Sequence, residues 1–253
     1  MMDKPVLGIL GGMGPMATVY FYELLTRHTL ATRDAEHIDI VISARASTPD
    51  RTAYIIGKSS ASPLPCLCSD ALRLESYGAN ILAIPCNTSH YFFDEINKSV
   101  TIKVLNMVYD TVLLSKLVGG RRLGLMATEG AIEVGLYQNI CKQLGITYIV
   151  PNLEHQRIVT KIIYEQVKSG KPVNMEDFNT VKSYFDQAGC DRIILGCTEL
   201  SLLKRDNNLG NYLVDSLQVL VYRAIIECGK TPIGLPEEFS KLKEHYGNNI
   251  RQI

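Results

Sequence analysis

Slid along itself, the chain brings Gly78-Ala79-Asn80-Ile81-Leu82-Ala83-Ile84-Pro85-Cys86-Asn87 beside Gly189-Cys190-Asp191-Arg192-Ile193-Ile194-Leu195-Gly196-Cys197-Thr198. In each copy a glycine ends a helical pattern, a polar residue opens a strand, an apolar stretch follows, and a cysteine stands just past it. Such a repeat constrains the whole fold, because a duplicated unit must bury the same surfaces twice. Upstream, Leu7-Gly8-Ile9-Leu10 matches Leu123-Gly124-Leu125-Met126 more loosely and in the same order. Two similar halves are expected.

Strand patterns over 6–10, 38–43, 80–84, 122–126, 147–150 and 192–195 alternate with helical patterns after Pro15 and over 64–77, 89–97, 136–144, 156–168 and 175–188. Pro15 suits a first helical turn, where its missing N–H would have had no partner. Several strands are continuously apolar instead of alternating, which is the mark of parallel sheets covered on both faces. The expected fold class is α/β: two pseudo-symmetric domains, each a parallel sheet flanked by helices, with a site in the cleft between them. Hydrophobic residues at 46% and charged residues at 21% exclude a disordered or coiled-coil chain.

Twenty-six Lys plus Arg balance twenty-six Asp plus Glu, so there is no basic field to attract nucleic acid or an anionic membrane. No apolar run approaches the roughly 18 residues of a membrane span. The short apolar stretch before Gly11-Gly12 is too brief for a signal-peptide core, and a cytoplasmic protein is expected. Seven cysteines, an odd number in a chain large enough to hold a core, point to free thiols and not to a disulfide framework.

Ligands in open parallel sheets bind beyond the carboxyl ends of the strands. Two facing halves would therefore bring Cys86 and Cys197 to opposite walls of one cleft. Each opens a strand-to-helix turn, where unpaired N–H groups favour a thiolate and can also receive an anionic ligand such as a carboxylate. A matched pair of thiols suits removal of a proton from one face of a carbon and its return to the other, each sulfur serving as base in one direction and acid in the other. A cysteine protease would want a single thiol with an orienting histidine base.

Gly11-Gly12-Met13-Gly14-Pro15-Met16-Ala17-Thr18, Pro49-Asp50-Arg51-Thr52, Pro85-Cys86-Asn87-Thr88-Ser89-His90 and Gly196-Cys197-Thr198-Glu199-Leu200, collinear over about 5–228, together resemble the aspartate/glutamate racemase family. The resemblance implies a cofactor-independent amino-acid racemase in which Cys86 and Cys197 are the acid/base pair. It also implies that Asn87, Thr88, Thr128 and Thr198 contact substrate, with the Asn87, Thr88 and Thr198 turns on the α-carboxylate, and that Met13 lines the cleft. Relatives more often carry a hydroxyl residue near the position of Ala131. The family pattern divides the chain into a first domain, 1–104 joined by 210–253, and a second, 105–209, with a C-terminal helix over 214–227 returning to the first half. A homodimer is implied, with a small amino acid as the only other partner.

Arg51, read as a loop residue after the second strand, could take a side-chain carboxylate in bidentate fashion. Lys168 matches a lysine that family members direct at the same carboxylate; on sequence alone it could equally cap a helix end. A second substrate carboxylate is the reason to expect aspartate or glutamate, and nearby positive charge would help to stabilise a carbanion without an electron sink.

Other readings are weaker. Gly12-Met13-Gly14-Pro15-Met16-Ala17 fits a dinucleotide fingerprint, but Ser43, Ala44 and Arg45 stand where an acidic residue is wanted, and the cysteine repeat would be left unexplained. The glycines are expected instead to let the backbone approach substrate. No paired C-x-x-C spacing supports a metal site; Cys66 and Cys68 read as small buried residues, and His90 as either a packing group or a tuner of Cys86. Related two-cysteine enzymes racemise hydantoins, isomerise maleate or decarboxylate malonates, and a non-catalytic amino-acid binder is a further alternative. Arg51 discriminates against the first, because a hydantoin has no distal carboxylate. The tail over 229–253 contains a plausible helix at 236–246 of unassigned function.

Overall fold

The computed structural model describes residues 4–207, 209–210 and 212–249. The outer ends of the expected first domain, 1–3 and 250–253, lie outside them. The first half runs β1 (Val6–Gly11), α1 (Pro15–His28), β2 (Asp39–Ala44), α2 (Arg51–Ile55), α3 (Leu64–Ser76), β3 (Ile81–Ala83), α4 (Phe93–Ser99) and β4 (Lys103–Val104). Then come α5 (Met107–Leu117), β5 (Arg122–Ala127), α6 (Glu129–Glu133), α7 (Leu136–Leu144), β6 (Thr147–Ile149), α8 (Leu153–Thr160), α9 (Met175–Gln187), β7 (Arg192–Gly196), α10 (Thr198–Asp206) and β8 (Leu213–Asp215). Helices α11 (Ser216–Glu227) and α12 (Ser240–Asn249) end the described chain.

The repeat becomes two four-stranded parallel sheets with the same order, β2-β1-β3-β4 and β6-β5-β7-β8. Strands β1, β5 and β7 are buried from their second residue onward, as expected of strands covered on both faces. In each sheet the chain moves from its first strand to one side, then crosses to the other, which opens a crevice between the carboxyl ends of β1 and β3 and again between β5 and β7. Met13 follows β1, Cys86 follows β3, Thr128 follows β5 and Cys197 follows β7. The topology therefore delivers these four side chains to two switch points.

Helix α11 holds the halves together. Leu217, Leu220, Val221, Ala224 and Ile225 pack into the first core with Phe21, Leu24 and Leu25, whereas Val219 and Tyr222 enter the second core with Val108 and Val112. Each such fully buried large apolar side chain contributes about 1.5–3 kcal/mol relative to exposure. The return to the first half begins at Ser216, later than the expected residue 210, because Leu213–Asp215 pairs with β7 in the second sheet. The tail bridges both halves too, with Thr29 paired to Pro232 and α12 packed on α5.

Under α12 lies an ion pair, Arg223 Nε to Asp110 Oδ2 at 3.0 Å, with both side chains 3% exposed. Arg223 Nη2 also reaches Glu227 at 2.7 Å, and the guanidinium sits 3.7 Å from the centre of the Tyr246 ring, whose hydroxyl donates to Asp110. Among the described residues no helix is long and apolar enough to cross a membrane.

Candidate active site

Both cysteines are 5% exposed, and they line one narrow cavity together with Met13, Arg51, Asn87, Thr88, Thr128, Lys168 and Thr198. Every site residue singled out from the sequence is thus brought to one place. Asp50, Thr52, Tyr164 and Glu199 complete the lining. A wider depression lies outside and shares Met13, Asp50, Arg51, Lys168 and Glu199 with the inner cavity, so these side chains stand at its mouth.

Arg51 is the first residue of helix α2 and not a loop residue. Asp50 caps that helix by accepting from the Ala53 N–H at 2.7 Å, which turns the chain so that Arg51 points inward. Its guanidinium donates to the carbonyls of Pro49 at 3.1 Å and of Thr48 and Met13 at 3.4 Å, and interacts with the Cys86 sulfur. Burial opposes the charge, but Cys86 and Asp50 outweigh it and Arg51 is held above its ordinary pKa. Its Nε is buried without a hydrogen-bond partner among the described residues.

Lys168 stands both at a helix end and beside the cavity. It caps the helical turn Lys161–Val167, and its ammonium reaches into the cavity, 4.5 Å from the centre of the Tyr164 ring and 3.9 Å from Glu199 Oε1. Burial pulls the ammonium down, yet Glu199 and Cys197 together hold it above its usual value.

The two sulfurs have unlike neighbours. Cys86 faces the Arg51 guanidinium, whereas Cys197 Sγ donates to Glu199 Oε2 at 2.9 Å. Burial first, and then the Glu199 carboxylate, raise the Cys197 thiol well above its ordinary value. The equivalence of the thiols in sequence therefore hides an electrostatic difference. Glu199 was within a recognised motif, and its spacing two residues after Cys197 was the available signal.

Thr88 and Thr128 come from opposite halves and share a hydroxyl hydrogen bond of 3.0 Å, while Thr128 also caps α6. Gly130 lets α6 close on α2, since a Cβ there would lie 3.0 Å from Thr52 Cα. His90 does not address a thiol. Its Nδ1 meets the Cys86 carbonyl at 3.0 Å and its Nε2 accepts from the Met107 N–H at 3.1 Å, so it fastens the Cys86 turn to the start of α5. Burial depresses its pKa to about 4 and keeps the ring neutral.

Chain packing demands glycine at two positions of the glycine turn. Gly12 has φ +88°, and a Cβ there would lie 2.5 Å from the Arg45 backbone; at Gly11 it would meet Thr18 at 2.5 Å. Gly12 and Gly14 both line the outer depression, and a Cβ on Gly14 would lie 3.5 Å from Glu199 Oε1. Arg45, the residue a phosphorylated nucleotide would have needed, is held bidentately by Asp70 at 2.7 and 2.6 Å. Cys66 and Cys68 lie on α3 and are half-buried, not buried as expected. No cluster of three or more metal-binding side chains occurs among the described residues.

Comparison with known proteins gives a consistent picture. The sequence model described as Asp/Glu/Hydantoin racemase matches residues 10–224. The broad specificity amino-acid racemase RacX of Bacillus subtilis strain 168 is 24% identical over 205 residues, spanning 78% of this chain and 86% of that protein. A glutamate racemase of Sulfurihydrogenibium sp. strain YO3AOP1 is 29% identical over 197 residues, 70% of this chain and 72% of that one. Among solved structures, Picrophilus torridus aspartate racemase superposes with a TM-score of 0.79 at 28% identity, covering 94% of this chain and 98% of that chain.

Proposed function

Since the chain belongs to the Asp/Glu/Hydantoin racemase family, we propose that it inverts an acidic amino acid, aspartate and/or glutamate, at Cα by two-base proton transfer between Cys86 and Cys197 without a cofactor. The observation that carries this reading is one narrow cavity lined by both thiols and by two cationic side chains, one of them with an unsatisfied donor. The α-carboxylate lies against Asn87, Thr88 and Thr198, where backbone N–H groups open two helical turns. The distal carboxylate is received by Arg51 and Lys168.

With substrate so held, the Cys86 thiolate beside Arg51 takes the α-proton. The Cα–H bond breaks, an S–H bond forms, and the electron pair delocalises into the α-carboxylate, where the helical N–H groups oppose the growing charge. The Cys197 thiol then delivers its proton to the other face, leaving Cys197 as thiolate and the stereocentre inverted. Reverse turnover or proton exchange with water restores the starting state. The narrowness of the cavity limits the water that can reach the carbanion.

The test is chiral chromatography of L-aspartate and of L-glutamate incubated with enzyme, a chelator and no added cofactor. Appearance of the D-enantiomer of at least one is expected; its absence for both, in folded protein, overturns the reading.

A further inference from the structure

Asn87 stands beside Cys86 and lines the cavity, and its amide belongs to a hydrogen-bond chain that crosses between the halves. The chain ends on the Leu195 carbonyl, which can only accept. Ser216 Oγ donates to it at 2.8 Å and thereby uses its single proton. Ser216 can then only accept from Asn87, so the Asn87 nitrogen must face it, at 3.0 Å. Asn87 Oδ1 consequently faces Tyr137, whose hydroxyl must be the donor. One acceptor-only carbonyl thus sets the direction from Leu195 through Ser216 to Asn87, and Tyr137, which also meets the Ser216 and Thr111 hydroxyls, closes the chain as donor to Oδ1.

We infer that Tyr137 and Ser216 are positioning residues that lock the Asn87 amide in one orientation, leaving its second N–H as a dedicated donor for a substrate carboxylate. The inference rests on the racemase reading for the identity of that carboxylate. Tyr137 is 1% exposed and does not line the cavity, so it acts through Asn87 and not on substrate. Burial raises its pKa, and the phenol stays a donor throughout the working pH range. Its ring also touches the second cysteine turn: a Cβ on Gly196 would lie 2.8 Å from Tyr137 Cε2. Tyr137 therefore rests against both turns, through Asn87 next to Cys86 and through Gly196 next to Cys197. Turning the amide over would set its oxygen against Ser216 Oγ and draw the serine proton away from Leu195.

Tyr137→Phe keeps the ring against Gly196 and removes only the donor. For racemisation of the preferred acidic amino acid the expected result is a KM about tenfold higher, the size of one lost substrate hydrogen bond. Ser216→Ala should move KM in the same direction. A purely structural role would lower the fraction of active molecules, and hence kcat, with KM unchanged; that outcome overturns the inference. Neutron diffraction from wild-type crystals grown in heavy water reads the polarity without any reaction. A deuterium on the Tyr137 oxygen aimed at Asn87 Oδ1, with the amide nitrogen toward Ser216, is expected, and the opposite amide orientation refutes the assignment. Wild-type protein inert toward both acidic amino acids would defeat the racemase reading, while the deuterium map would still decide the orientation.

Discussion

Lowering the pH from about 7.5 to about 5 should destabilise the fold through His90, by an amount the structure sets. The ring is buried and neutral with a pKa of about 4, against 6.5 for the free side chain. Between those values the unfolded chain binds a proton that the folded chain refuses, so stability falls as pH drops through that window. The contribution is fully present above pH 6.5. At about pH 5 the loss from this one residue is about 2 kcal/mol, and it approaches ~3 kcal/mol at about pH 4, taking 1.36 kcal/mol per pKa unit. Urea unfolding followed by far-UV circular dichroism isolates it when wild type is compared with His90→Asn, which keeps a donor for the Cys86 carbonyl and does not titrate. The variant should be less stable near neutrality by about 1–3 kcal/mol, because the Met107 N–H loses its acceptor. That gap should shrink by about 2 kcal/mol at about pH 5. A gap that stays the same at both pH values would refute the assignment of His90 as a buried neutral ring.

Arg51→Gln should raise KM for the acidic amino acid by about 10- to 100-fold in steady-state assays, the range of one or two charge-assisted hydrogen bonds. Glu199→Gln removes the anion beside Cys197, so the direction of racemisation in which Cys197 is the base should reach its plateau at lower pH, with the other direction little changed; pH–rate profiles from each enantiomer check this. Arg223→Met should cost about 3–5 kcal/mol in urea unfolding because it strands the buried Asp110 carboxylate.

The repeat ending at Cys86 and Cys197 was legible because two copies of one apolar strand carry the same residue at the same end, and the sheet order then sends both to switch points. Helix α5 was not legible. It is buried nearly all round, from Met107 to Ser115, between α7, α11 and α12, and an apolar residue on every side leaves no 3.6-residue rhythm to read. Strand β8 was too short to separate from the helix it precedes, which displaced the expected return point to the first half. Arg51 looked like a loop residue because α2 is only a short turn whose start depends on the Asp50 cap. Tyr164 and Tyr137 gave no local signal: one reaches the cavity, and the other the Asn87 amide, only through tertiary packing of the second half against the first. The glycine turn showed where the backbone is crowded, but Arg45 and Thr18 as the crowding atoms emerge only in three dimensions.

The central claim is that two thiols exchange the α-proton from opposite faces. Its most direct test is proton NMR in heavy water with L-aspartate and, separately, L-glutamate, following loss of the α-proton signal alongside chiral analysis for wild type, Cys86→Ser and Cys197→Ser. The account predicts solvent deuterium at Cα with inversion in the wild type for at least one substrate, and no racemisation by either variant. Racemisation that survives in either single variant, or inversion that retains the original α-proton, would contradict it.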